Sequence, residues 1–248
     1  MSILALDTCF GACSVAVRVA SPGQAPRDIG ERVLMDVGHA EALAPMIARV
    51  LAAAGLEARA ITRIAVTHGP GTFTGTRIAI AAARGLALAT GAPIVAFSSL
   101  LAIGIAAARA RDLAANADAA VLVAMDARNR QYYVQVIGGD GAELTQPQLL
   151  SADAAAALVP GRRLLAVGTG AAGVVAAGAA AARTIETAFA DAAARYVRTQ
   201  HAEGWEVRAA EAMGKMITLD RARHSKFQNY TNSNSKNSVE TRHYNKIC

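Results

Sequence analysis

The order in which strand-like and helix-like segments follow one another over residues 1–100 constrains the fold most. Ile3–Leu6 is a short apolar run that ends at Asp7, and Cys13–Val19 is a β-branched run of alternating polarity. Thr8-Cys9-Phe10-Gly11-Ala12 between them has room only for a tight turn, so the two runs make a hairpin. Pro22-Gly23 and Pro26 mark a loop, and a third strand is expected over Ile29–Met35. Then the period changes. Leu43, Ile47, Val50 and Leu51 recur at helical spacing with Met46 on the same face, so His39–Ala54 reads as a helix closed by Gly55. A strand over Ile61–Thr67, a glycine-rich loop over Gly69–Gly75 and a helix over Thr76–Thr90 ending at Gly91 follow. Pro93 leads into a strand over Ile94–Phe97, and Ser98-Ser99 read as N-caps of a third helix.

The second half is less regular. Ala119–Met125 is a fully apolar strand, Asp126-Ala127-Arg128-Asn129-Arg130 a polar turn, and Gln131–Ile137 another strand. Gly138-Gly139-Asp140-Gly141 closes a second hairpin, and Leu164–Val167 precedes Gly168-Thr169-Gly170 and an Ala-rich helix. Alternation alone supports only an α/β fold. The antiparallel three-strand start continued by crossover helices matches the unit of actin-like, sugar-kinase and Hsp70-type (ASKHA) folds. Two such subdomains are expected, over 1–100 and 101–203, the second truncated or degenerate.

Residues 204–248 are of a different kind. Every Lys lies after residue 214, Ala stops at Ala222, and Asn arrives in a burst from Asn229 to Asn245. The formal charge of +6 is concentrated there. Residues 1–203 hold 17 Arg against 15 acidic residues, whereas 204–248 hold 8 basic against 4 acidic ones. Such a composition predicts a disordered tail, and the abrupt boundary suggests that about 214–248 is foreign to the fold. The other reading is a basic tail that touches RNA.

Over half of the residues, 53%, are hydrophobic, enough for a sizeable core, yet no apolar run reaches the roughly 18 residues of a membrane span. Asp7 interrupts the first apolar stretch and no basic segment precedes it, so no signal peptide is expected and the cytoplasm is the expected location. Cys9, Cys13 and Cys248 give neither a disulfide framework nor a zinc spacing, and Cys9 and Cys13 read as small buried residues.

Several constellations suggest chemistry, and each has a plainer structural reading. Asp7-Thr8 in a hairpin turn suits phosphate cradled by backbone N–H groups with a hydrated Mg²⁺ nearby, or is simply a turn aspartate. Gly69–Gly75 resembles a P-loop but continues as Thr76-Arg77 instead of Lys-Ser/Thr, so it fails that test and leaves a helix N-terminus facing an anion or a small-residue turn. Arg77 in the first helical turn opposes the helix dipole and needs a reason. His39-Ala40-Glu41 is neither a zinc-protease nor a deaminase signature and recurs as His201-Ala202-Glu203, so His39 reads as a helix-start residue and no metal site is expected. Arg128 and Arg130 suit phosphate or RNA, or a solvated turn. No triad can be assembled from Ser14, Ser98 or Ser99, and no catalytic residue is assigned.

Taken together, these motifs resemble the TsaB (YeaZ) family over roughly residues 1–200. The resemblance is carried by Ile3-Leu4-Ala5-Leu6-Asp7-Thr8, Gly38-His39-Ala40-Glu41 with Leu43 and Pro45, and above all Gly69-Pro70-Gly71-Thr72-Phe73-Thr74-Gly75-Thr76-Arg77-Ile78. Ser98-Ser99-Leu100 and Asp126-Ala127-Arg128 fall where the family has comparable segments. Thr76 departs from the usual Leu, and Tyr196-Val197-Arg198 only echoes the family's closing segment.

The resemblance implies a non-catalytic scaffold of the machinery that places threonylcarbamoyl on the adenosine beside the anticodon of tRNA. It implies a TsaD-type paralogue as the catalytic partner, a TsaE-type ATPase, tRNA met through the complex, and self-pairing. It implies no cofactor for this chain, with ATP and Mg²⁺ acting at the level of the complex and only a vestigial phosphate hairpin at Asp7 and Thr8. The implied pairing surface is the helices His39–Val50 and Thr76–Arg84, with His39, Leu43, Met46, Ile47, Arg77, Ile80 and Arg84 as candidates. An active small ATPase or kinase of the same fold is the alternative, with Gly168-Thr169-Gly170 as its second phosphate loop. A protease and a stand-alone RNA binder are weaker readings.

Overall fold

The computed structural model describes residues 1–111, 113, 118–160, 162–180 and 185–187. The predicted tail, His201-Ala202-Glu203, Tyr196-Val197-Arg198 and Cys248 lie outside the described residues. Two compact units divide after Ser99.

The first unit opens with β1 (Ser2–Asp7), β2 (Ala12–Val19) and β3 (Arg27–Leu34), continues through α1 (His39–Ala54), β4 (Arg63–Thr67) and α2 (Phe73–Thr90), and ends with β5 (Ile94–Phe97). Its sheet order is β3-β2-β1-β4-β5. β1–β2 and β2–β3 are antiparallel; β1–β4 and β4–β5 are parallel. Alternation decides the faces. Leu4 and Leu6 of β1, Cys13, Val15 and Val17 of β2, and Ile64 and Val66 of β4 share one core with Leu43, Met46, Ile47, Val50 and Leu51 of α1 and Ala79 and Ala83 of α2. Burying each large side chain contributes about 1.5–3 kcal/mol, which fixes α1 against the sheet. Gly55 and Gly91 end the two helices in the left-handed conformation.

Boundaries differ from the sequence reading where local hydrogen bonds decide. β4 starts at Arg63 because Ile61 N–H closes a short 3₁₀ turn by donating to the Ala58 carbonyl. β3 runs from Arg27, paired with Val19, to Leu34. α2 starts three residues early, at Phe73, because the Thr72 hydroxyl accepts the Gly75 N–H at 3.1 Å and caps the helix. Phe73, Thr74 and Gly75 are therefore the first helical turn and not loop.

The second unit contains α3 (Ser99–Ala110), β6 (Ala119–Asp126), β7 (Gln131–Gly138), β8 (Gln148–Ser151), α4 (Ala152–Ala156), β9 (Arg163–Val167), α5 (Ala171–Ala180) and β10 (Ile185–Thr187). Its sheet order is β10-β9-β6-β7-β8, with β6–β7 and β7–β8 antiparallel and β6–β9 and β9–β10 parallel. Ala120, Leu122 and Ala124 face α4 and α5 across a core with Val134, Val136, Ala155, Ala156 and Val174. Gly104 of α3 sits against Ile137 and Val123, where an added methyl would overlap, so α3 lies on the other sheet face.

Both sheets thus repeat one order, three antiparallel strands followed by two parallel ones. This is the duplicated ASKHA-type α/β architecture. Among the described residues the second sheet has all five of its strands, and of the helices beside it α4 has only five residues.

Candidate functional site

In the first unit, chemistry-bearing residues gather where the β1–β2 turn meets the start of α2. Asp7 Oδ1 accepts the Cys9 N–H at 2.9 Å and the Thr67 hydroxyl at 2.6 Å, so this carboxylate oxygen braces its own turn and the neighbouring strand. Thr8 is fully buried, and its hydroxyl donates to the Gly75 carbonyl at 2.5 Å. Thr72 N–H donates to the Cys9 carbonyl at 2.7 Å. The glycines follow from this contact. A methyl at Gly71 would overlap the Cys9 backbone, and one at Gly75 would overlap the Thr8 carbonyl. Gly69 N–Cα torsion lies at φ 102°, a value L side chains rarely adopt. The Pro70 carbonyl accepts the Ser99 hydroxyl and the Gly69 carbonyl accepts the Ser99 N–H at 2.9 Å. Ser99, expected as a helix cap, instead bonds to the glycine loop.

Burial disfavours the charged forms of Cys9, Cys13 and His68 near this contact. Burial, with the Asp7 charge beside it, pushes the Cys9 thiol far up, and its Sγ lies 3.3 Å from the Thr67 hydroxyl. Burial with Asp7 and Glu31 raises Cys13 to about 11. Burial lowers His68 below its ordinary value. Among the described residues, no three His, Cys, Asp or Glu side chains gather as a metal-ligand set.

The pairing candidates separate into two groups. Leu43, Met46 and Ile47 point into the core, with Met46 wholly buried. His39 is buried as well, and its Nε2 donates to the Phe10 carbonyl at 3.1 Å, which pins the start of α1 to the β1–β2 turn. These four hold the helix in place and offer little outward surface. Arg77 and Arg84 are exposed and Ile80 is half-buried. Arg77 lies 3.3 Å over the Phe73 ring centroid and donates to the Phe73 carbonyl at 2.9 Å, which accounts for a cation in a first turn.

Besides Arg77 and Arg84, the outward faces carry residues that sequence reasoning did not name. Ala40, Ala44, Ala48 and Ala52 of α1 are all exposed and fall at four-residue spacing; Ala81, Gly85 and Ala89 do the same on α2. Phe73, 66% exposed, and Leu88, 84% exposed, flank the second row. Such rows of small residues let other helices approach closely. The spacing was present in the sequence, but the larger apolar residues one position away drew the pattern to the buried face.

The second unit repeats the turn in a different state. Asp126 Oδ1 accepts the Arg128 N–H at 2.7 Å, and Asp126 N–H donates to the Thr169 hydroxyl at 2.9 Å. Gly168 and Gly170 lie against the Ala124 carbonyl and the Tyr132 ring, where added methyls would overlap. Gly168-Thr169-Gly170 is therefore used for packing the start of α5, while Arg128, Asn129 and Arg130 stand exposed.

A family model described as "TsaD: tRNA N6-adenosine threonylcarbamoyltransferase" matches residues 34–166. A Haemophilus influenzae relative named "tRNA threonylcarbamoyladenosine biosynthesis protein TsaB" is 35% identical over 138 residues, 55% of this chain and 54% of the relative. The chain thus spans about half the length of that relative. Among solved structures, "YeaZ from Pseudomonas aeruginosa" is 33% identical with a TM-score of 0.59, covering 71% of this chain and 79% of its own. A second Pseudomonas aeruginosa structure, described as having similarity to peptidase YeaZ, is 31% identical with a TM-score of 0.62, covering 75% and 82%.

Proposed function

This chain belongs to the TsaB (YeaZ) family, and on that premise we propose that it is a non-catalytic partner subunit in the formation of threonylcarbamoyladenosine in tRNA. The observation that carries the non-catalytic part is the closed contact between the β1–β2 turn and α2. Thr8 gives its hydroxyl to Gly75, Thr72 N–H is taken by Cys9, and Gly71 and Gly75 leave no gap between the two backbones. A turn packed this closely on its own glycine loop leaves little space for a bound phosphate, and the Thr8 hydroxyl, the Cys9 N–H and the Thr72 N–H are taken by internal partners.

The catalytic partner is a TsaD-type paralogue, which docks on the outward faces of α1 and α2. The rows Ala40-Ala44-Ala48-Ala52 and Ala81-Gly85-Ala89 support this, because they expose small side chains on two adjacent helices. A second copy of this chain takes the same face when the partner is absent. A TsaE-type ATPase joins the assembly, which brings ATP and Mg²⁺ with it; tRNA is engaged by the whole, in the cytoplasm. No helix among the described residues is long and apolar enough to cross a membrane.

The test is reconstitution. TsaD- and TsaE-type proteins supplied with threonylcarbamoyl adenylate and tRNA are expected to form modified adenosine only when this chain is added. The isolated chain is expected to turn over no Mg-ATP. Turnover by the chain alone that is lost in Asp7→Asn would overturn the non-catalytic reading in favour of an active ATPase.

A further inference from the structure

The β6–β7 turn carries features that the packing of its own unit does not use. Arg128, Asn129 and Arg130 have φ of 69°, 52° and 58°, three left-handed residues in a row without a glycine. Each costs roughly 1 kcal/mol or more for a residue with a Cβ, and only Asn suits the conformation. The turn is nonetheless fixed at both ends. Ala127 N–H donates to the Gln131 carbonyl at 2.9 Å, Gln131 N–H to the Arg128 carbonyl at 3.0 Å, and Arg128 N–H to Asp126 Oδ1.

This rigid, costly turn holds two guanidinium groups out in solvent. Arg128 and Arg130 are exposed, and among the described residues neither forms an ion pair. Asp126 forms no ion pair with either arginine, and its Oδ1 accepts the Arg128 N–H. The Thr169 hydroxyl, which accepts from Asp126 N–H, keeps its own proton to donate at the same end of the sheet. No acidic residue stands in the first turn of the neighbouring helix α5. Beside the Asp126 carboxylate, the turn presents donors: two planar forks, an Asn amide and a hydroxyl.

We propose that the β6–β7 turn is a binding site for an RNA phosphodiester backbone, with Arg128 and Arg130 each engaging a phosphate and Asn129 and Thr169 adding neutral donors. Guanidinium forks match phosphate oxygens in pairs, and such contacts position a nucleic acid without reading its sequence. The proposal deepens the tRNA role given above, on which it rests for the kind of phosphate polymer. A nucleotide phosphate has the same oxyanion chemistry, and the experiment separates the two.

The experiment measures fluorescence anisotropy of a labelled, unmodified tRNA transcript with the full chain over a salt series. The variant pairs Arg128→Gly with Arg130→Gly, because glycine suits the left-handed turn and should hold or raise the thermal midpoint while removing both guanidiniums. Its affinity is expected to fall about tenfold at low salt, and the slope of log affinity against log salt to shrink by about one to two. The paired Lys variant keeps the charge without the fork and is expected to fall between. Unchanged affinity and slope in the glycine variant would overturn the proposal, as would undetectable tRNA binding by the wild type or a loss that tracks a lowered midpoint. Displacement of tRNA by micromolar ATP would also overturn it and assign the turn to a nucleotide. Capture of a TsaD-type partner by the same variant, measured in parallel, is expected to be unaffected, so failure of the partner reading is seen separately.

Discussion

Two glycines of α2 illustrate how the same substitution takes opposite signs ten residues apart. Gly75 faces the Thr8 carbonyl so closely that a methyl has no place, whereas nothing lies within 4 Å of a methyl added at Gly85. Gly75→Ala should therefore destabilise by about 2–3 kcal/mol through overpacking, and Gly85→Ala should stabilise by about 0.5–1 kcal/mol through helix propensity. Chemical denaturation of the two variants checks both signs at once. Thr72→Ala, which removes the cap of the same helix, should cost about 1 kcal/mol. The buried thiols give a pH signature. Cys13 is raised from 9.0 to about 11, so its neutral form favours the folded state. That contribution is complete below pH 9 and is lost as pH rises towards 11, and Cys13→Ala should flatten the alkaline decline in unfolding free energy. At this scale the sequence showed which residues form the motif but not what they touch. Gly71 and Gly75 read as a failed phosphate loop, because their reason lies in Cys9 and Thr8, more than sixty positions away in the chain.

For single elements, the helical period of α1 was readable and its row of exposed Ala was not. Leu43, Met46, Ile47 and Val50 mark the buried side strongly, and the first three stand among the pairing candidates for that reason. The outward rows are mostly Ala, which carries little signal in any hydrophobicity pattern. Replacing Met46 with Ala should cost about 2–5 kcal/mol by opening a cavity in the core. Ala48→Arg, on the exposed side of the same helix, should leave stability within about 0.5 kcal/mol. β8, α4 and β10 escaped the sequence reading for a related reason. β8 and α4 have four and five residues, too short for either period to develop, while β8 and β10 are strands because β7 and β9 offer edges to pair with.

Across the whole molecule, the duplicated sheet order gives the two halves the same parts and different uses for them. Both first strands end in an Asp whose carboxylate takes the N–H two residues on, Cys9 in one unit and Arg128 in the other. In the first unit the turn is sealed by the glycine motif and the two long helices are left with small, exposed outer faces. In the second the turn stays open to solvent and carries arginines. The fold class was legible because three antiparallel strands before a helix are a rare opening, and a second subdomain was expected from the hairpin over 119–137 and the strand over 164–167. That its sheet repeats the strand order of the first was not legible, because β8 and β10 left no pattern in the sequence.

The central claim is that the outward faces of α1 and α2 hold the catalytic paralogue. Sedimentation velocity of the full chain mixed with its TsaD-type partner tests it most directly, with wild type and Ala48→Arg compared. The account predicts a one-to-one complex for the wild type and separate species for Ala48→Arg at unchanged thermal stability. A complex that forms equally with Ala48→Arg, and equally with Ala81→Arg on the second row, would contradict it and move the partner surface elsewhere.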